Sequence, residues 1–520
     1  MYGMDSQDKN SIWRSRTVSW RGNTQEHNLF STSKFRAAIK DALINSHRKF
    51  LLKNHANGRL DPSGLVNGNG GNVLSSDIMN AVGFTYHTCL SQCSSGTQSP
   101  IWANMSQQFG TWLLPYLALI SQLPFGARHR VDNLMSAILT VGSLVLAGYS
   151  MILIILNANW ISRQFENLFF PNTKDAVRIL ISLQQSPLRI TNEDSLLSSL
   201  VILPQNDDWW PTIADFLNYT HTWSIASVTS IAWVVITYLL TVTSSLSDIP
   251  SEIHSNSGQA TGSVWLWLIP IVIGWLQLSP NPSSPDEMLT PPVYNYARAI
   301  SWSRIRRPVM IGATWTNANR RNFIEPGNRR GNASEVDAYC KLPRYAVRSP
   351  WATGMFFRMF VASLLPLALQ WATTVSAVLV VYFTPTMGFG CRSLGYLIYG
   401  TLATIVWAML VMSSTLSHYA SSLAKVLSNL LRWGGKLLAI INAIWIIVAG
   451  MLEFTSTYDN CYCNSSVLGR GAQDAYDVVL FNGVDLGQTK AAWFGALALA
   501  GSTSLGFIFY ISLLTDLVPI

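Results

Sequence analysis

Asp207 and Asp208, followed at once by Trp209 and Trp210, are adjacent carboxylates set beside two indoles. Such a pair could hold a divalent cation against a lipid phosphate while the indoles anchor the loop at the level of the headgroups. No second acidic motif stands at a fixed spacing from it. The sequence also carries no GxSxG, Walker, HExxH or dinucleotide pattern. The plainer role of the four residues is an acidic helix start followed by an aromatic anchor. His221, beside the next apolar run, reads in the same way as an interfacial residue rather than a general base. The six cysteines fall as Cys89 and Cys93, Cys340, Cys391, then Cys461 and Cys463. CxxxC and CxC spacings do not form a zinc pattern, so Cys391, Cys461 and Cys463 are disulfide candidates. No cofactor is expected.

The elements that must position these residues are apolar. Of 520 residues, 49% are apolar and only 12% charged, too few charges for a soluble chain of this size. The expected fold is all-α, a polytopic transmembrane bundle of about eight spans, with interfacial amphipathic helices. If the first segment re-enters instead of crossing, the count is seven. That segment, Gln107 to Gly126, is interrupted by Pro115 and Pro124. The second span is expected at Leu134 to Leu156, with Ser143 and Ala147 at small-xxx-small spacing. A loop at 157–220 holds short amphipathic stretches from Asp175 and Glu193. Spans three and four form a hairpin at about 222–246 and 260–278. Spans five to eight follow near Phe360 to Phe383, Leu394 to Ser413, Leu437 to Phe454 and Ala491 to Leu514. Ala498, Ser502 and Gly506 suggest a packing seam in the last.

Four regions result: a basic tail at 1–77, rich in Asn, Ser and Gly and expected to be disordered; a membrane region at 78–278; a basic cytoplasmic connector at 279–350; and a second membrane region at 351–520. The connector has eleven Arg and Lys against five Asp and Glu. It is expected inside, where it could meet anionic headgroups. The net charge of +8 is concentrated beside spans, which argues for membrane sidedness and against nucleic acid. Leu416, Tyr419, Leu423, Leu427 and Leu430, with Lys425 and Arg432, read as a separate basic interfacial helix. With eight spans, charge density places both termini in the cytoplasm and the segment from Thr455 to Lys490 outside, where the sequon at Asn464 would be glycosylated; if the Gln107 segment re-enters, the N-terminus moves outside with Cys89, Cys93 and Asn104. Further sequons occur at Asn104, Asn218 and Asn332. A plasma membrane or another membrane of the secretory pathway fits this plan.

Several runs carry a resemblance: SQQFGTWLLPYLALISQLPFG from Ser106, ISLQQSPLRI from Ile181, LVILPQNDDWW from Leu200, THTWSIASVTSIAWVV from Thr220 and GSVWLWLIPIVIGWLQLSP from Gly262. Over roughly residues 85–300 the chain resembles a group of uncharacterised multi-pass membrane proteins of filamentous fungi. The resemblance implies a fungal origin and a polytopic fold. It implies no activity, substrate or site residue.

Ionisable residues are nearly absent from the expected spans. Arg358 and Glu453 stand at span ends, where side chains are expected to snorkel to the interface. Ser224, Ser227, Thr229, Ser230, Thr237, Thr241 and Thr243 make span three rich in hydroxyls, and Gln370 and Asn442 are lone amides. Their expected role is hydrogen bonding between helices. A ligand-lining reading draws on Ser227, Ser230, Thr237, Gln370 and the carbonyls freed by Pro270. The leading functional expectation is a non-catalytic sensor or scaffold. A small-molecule facilitator and a membrane-embedded lipid-modifying enzyme are the alternatives.

Overall fold

The computed structural model describes residues mainly in the ranges 64–93, 113–123, 130–165, 223–247, 258–278, 354–478 and 483–516, with short gaps inside the first and sixth. Asp207, Asp208, His221, the stretch from Glu193, that from Asp175 apart from Asp175 and Val177, the connector at 279–350 and the sequons at Asn104, Asn218 and Asn332 lie outside the described residues.

Helices dominate. α1 (Tyr86–Cys93) and α2 (Leu114–Ser121) are short; α3 (Arg130–Gly142) and α4 (Leu144–Phe165) meet at Ser143. α5 (Ile225–Ser247) precedes α6 (Gly258–Trp265) and α7 (Leu268–Leu278). α8 (Met355–Tyr382), α9 (Cys391–Leu416) and α10 (Ser422–Phe454) are long, α11 (Cys461–Asn464) and α12 (Val467–Asp474) are short, and α13 (Gly483–Asp516) closes the bundle. Among the described residues seven helices are long and apolar enough to cross a membrane. The chain is an integral, multi-pass membrane protein built as a helical bundle. Seven is also the number expected if the Gln107 segment does not cross. There α2 covers eight residues, about 12 Å, against a hydrocarbon core of about 30 Å.

Three sequence boundaries move, each for a packing reason. α4 continues past Leu156 to Phe165 because Asn157 is fully buried among core residues and does not mark a surface. Leu416 to Arg432 does not form a separate interfacial helix: Ser422 to Phe454 is one helix of 33 residues. The Gly434-Gly435 pair within it lets α9 approach, since a Cβ at Gly434 would lie 2.8 Å from Met409 and one at Gly435 2.9 Å from Leu410. Third, the hairpin's return limb is divided at Leu266 and Trp267 between α6 and α7. Pro270 causes this, because it lacks an N–H and its ring crowds the carbonyl four residues back. That carbonyl, of Leu266, accepts from Ile269 N–H at 3.3 Å.

Side-chain faces also depart from expectation. Ala498, Ser502 and Gly506 lie on the exposed face of α13, whereas Trp493, Ala496, Ala500, Phe507 and Ile511 face the core. The small-residue stripe that turns inward is Ala496, Ala500 and Ser504, four apart, while Leu505 and Phe509 face outward, so the packing seam lies on a different face from the one expected. On α5, Thr229, Thr241 and Thr243 donate to carbonyls of their own helix, as hydroxyls in helices do when no neighbour is within reach. Among the described residues of α5, the hydroxyls of Ser227 and Tyr238 hydrogen-bond other segments, at Gln122 Oε1 (2.7 Å) and Ser263 Oγ (3.1 Å).

The end of α8, start of α9, end of α10 and start of α13 share one face of the bundle. Thr489 Oγ1 donates to Phe383 O at 2.9 Å, and Gln259 Nε2 to Trp493 O at 3.1 Å, which brings the start of α6 to the same face. Gln277 and Ser512 meet at 3.0 Å toward the opposite face.

Candidate functional site

A cap covers the first face. β1 (Leu65–Val66), β2 (Gly83–Thr85) and β3 (Tyr476–Val478) form an antiparallel sheet in that order. Leu65 pairs with Phe84, and Phe84 with Asp477. Gly83 is required at its position, because a Cβ there would come within 2.1 Å of Asp477 O. The Asn- and Gly-rich run that composition marks for disorder therefore contributes, at 64–73, a strand and a turn. In that turn Asn67 Oδ1 accepts from Gly71 N–H at 2.9 Å, and Gly70 takes a φ of 80°, a left-handed conformation glycine adopts without strain.

Two disulfides fasten the cap. Cys391 bonds Cys463, and Cys461 bonds Cys89, across a sequence separation of 372. Cys89 was not among the paired candidates, because its partner is remote in sequence and its local CxxxC spacing carries no pairing information. The second bridge puts residues 64–93 on the same face as 457–478, as the seven-span arrangement expects and the eight-span one does not. The loop between α8 and α9 is stitched in as well. Thr386 Oγ1 accepts from Val478 N–H at 2.8 Å, Ser466 Oγ donates to Thr386 O at 3.2 Å, and Arg470 donates to Met387 O while lying 4.1 Å over the Tyr476 ring. Asn464 sits half-buried in α11, beside the Cys391–Cys463 bridge.

Beneath the cap lies a buried carboxylate. Glu453, at the end of α10, is 3% exposed and does not snorkel. Its Oε2 accepts from Tyr396 OH at 2.6 Å and Thr261 Oγ1 at 3.1 Å, and those two hydroxyls are 3.2 Å apart. Arg392 Nε lies 4.0 Å from Oε1. α6, α9 and α10 thus each supply one part: the hydroxyl; the phenol and cation; the carboxylate. Tyr458 stands above them, its phenol pushed above the ordinary value first by burial and then by the Glu453 charge, with Arg392 pulling it partly back. An isolated buried carboxylate would be very costly, so the cation and two donors are what permit it. The sequence names Glu453 but not its role, since Thr261, Arg392 and Tyr396 look unremarkable until three helices converge.

Arg358 is likewise buried, 8% exposed, and stacks 5.2 Å over Trp160. The ligand-lining candidates do not converge. Ser227 is buried against Gln122, Pro270 is buried within α7, Gln370 bonds Thr374 Oγ1 at 3.1 Å within its own helix, and Ser230 and Thr237 are half-buried on α5. Among the described residues no three of His, Cys, Asp and Glu stand close enough to hold a metal ion. No protein-family model, curated protein or solved structure matches this chain.

Proposed function

We propose that the protein is a non-catalytic sensor or scaffold of a secretory-pathway or plasma membrane, whose cap is the receiving surface. The observation that carries this reading is the cap itself. Two disulfides and a three-stranded sheet join chain segments from both halves of the sequence over one face of the bundle, an investment that a mere linker between spans does not need. Disulfides form on the oxidising side of such membranes, so the capped face is the outer one and Asn464 the candidate glycan acceptor. The connector at 279–350 and the end of α13 then face the cytosol, where partners or anionic headgroups would meet the basic segment. The Glu453 centre joins α6, α9 and α10 beneath Tyr458, whose phenol feels its charge, and would be the route by which events at the cap reach those helices. In a fungal host of the kind the resemblance implies, the transcript profile of a deletion strain defines the phenotype. Gly83→Val, which opens the sheet, should reproduce that profile while the protein still reaches its membrane. A capless protein that fully restores the wild-type profile overturns the reading.

The facilitator reading draws on Ser227, Ser230, Thr237, Pro270 and Gln370; of these, Ser227 hydrogen-bonds Gln122 and Gln370 hydrogen-bonds Thr374. The lipid-modifying reading rests on Asp207 and Asp208, which lie outside the described residues.

A further inference from the structure

The sequon on the cap, Asn464-Ser465-Ser466, is built into packed structure, whereas an acceptor asparagine belongs on an accessible surface loop. Asn464 ends α11, its N–H donating to Asn460 O at 2.9 Å. The residue before it, Cys463, is held by the bridge to Cys391, and its N–H donates to Asn460 Oδ1 at 2.8 Å. Ser465 and Ser466 are 0% and 3% exposed. The hydroxyl that completes the sequon, on Ser466, donates to Thr386 O at 3.2 Å.

The loop between α8 and α9 closes over this stretch. A Cβ at Gly388 would lie 2.9 Å from Ser466 Cβ, and one at Gly390 3.0 Å from Cys463 O. Nothing as large as an enzyme's side chain enters between loop and sequon.

Glycan transfer makes definite demands. Asn464 Nδ2 must bond the anomeric carbon of an oligosaccharide carried on a polyprenyl diphosphate. The anomeric C–O bond breaks, the diphosphate leaves with its electron pair, and the amide proton passes to a base of the transferase. That enzyme has to hold the asparagine amide and the hydroxyl two residues on at the same time. Only a chain with Ser466 withdrawn from Thr386 allows this. Cys463 directly precedes the asparagine, so its bridge to Cys391 ends that freedom. Cys391 and the loop before it are also synthesised ahead of Cys463, and are in place to capture it.

We infer that Asn464 is a conditional glycan acceptor, bare in chains whose Cys391–Cys463 bridge has closed and glycosylated in chains where closure fails. A glycan there marks an open cap. The inference rests on the outward placement of the cap proposed above, and the test separates the two.

The full chain is translated into endoplasmic-reticulum microsomes with or without dithiothreitol, and occupancy at Asn464 is read by mass spectrometry after enzymatic deglycosylation in heavy-oxygen water. A second chain carries a control sequon in the exposed stretch 471–474, made by Ala472→Asn with Asp474→Thr. Under oxidising conditions Asn464 should be bare in most chains and the control sequon glycosylated. Dithiothreitol, or Cys391→Ser, should raise Asn464 occupancy severalfold and leave the control unchanged. The reductant arm uses the unaltered sequence, so it reads out even if Cys391→Ser is degraded. Full occupancy of Asn464 in oxidised chains that carry the bridge overturns the inference. So does an Asn464 that stays bare in reductant while the control is glycosylated. A control sequon bare under every condition puts the cap on the cytosolic side, and removes the inference together with the outward placement.

Discussion

Asn442 Nδ2 donates to Gly142 O at 2.8 Å, joining α10 to the break between α3 and α4. The break frees backbone carbonyls, and a second amide hydrogen reaches Tyr399 O at 3.2 Å. Tyr399 OH in turn donates to Val141 O at 3.0 Å, and Ser143 Oγ to Ala403 O at 2.8 Å. Inside a membrane a kinked helix requires such partners, because no water replaces the lost intrahelical bond. Asn442→Leu keeps the volume roughly constant and removes both donors. It should cost about 0.6–2 kcal/mol, read as a lower unfolding midpoint in detergent, with Asn442→Gln intermediate. An unchanged midpoint for the leucine variant means the kink holds without this clamp.

Glu453 should respond to substitution asymmetrically. Glu453→Ala leaves the Arg392 side chain, 15% exposed, without its anion. The expected loss is about 3–5 kcal/mol. Tyr396→Phe removes one donor and should cost about 1–3 kcal/mol. Combined with Glu453→Ala, it should add little, since the two groups act as a unit. Thermal unfolding of the four proteins completes the cycle, and simple additivity would deny the coupling.

The Cys89–Cys461 bridge joins the two halves of the chain. A protease site engineered into the 279–350 connector therefore gives a product that runs on a denaturing gel as one species without reductant and as two with it. Cys89→Ser should separate under both conditions, and should lose about 2–4 kcal/mol of stability in the intact chain. Separation of the wild-type product without reductant would exclude the pairing.

Gly435 tests why α10 is continuous. Gly435→Ala raises helix propensity by about 1 kcal/mol, yet its Cβ would meet Leu410 Cδ2 at 2.9 Å. Gly435→Leu should destabilise by about 1–3 kcal/mol through overpacking. If the glycine were a hinge instead, both variants would stabilise, which the same unfolding assay detects.

The helical class and the place of the long spans were legible in the chain because lipid imposes length and apolarity locally, on about 20 consecutive residues. Met355–Tyr382 and Gln259–Leu278 lie close to where hydropathy puts them. Pro270, too, announces its own kink. Nothing local specifies how helices face one another. Whether the Ala498, Ser502 and Gly506 stripe turns inward, whether Gly434 and Gly435 break a helix or admit a neighbour, and whether Glu453 snorkels or is buried all depend on side chains supplied from other spans. The cap is the extreme case. β1 has two residues and β3 three, too short to register as strands alone, and Cys89 meets Cys461 only after the bundle has brought them together. Sequence determined the solvent each helix must live in. Tertiary structure decided the partners, because a buried charge, a close glycine contact and a disulfide are each properties of two or more distant residues at once.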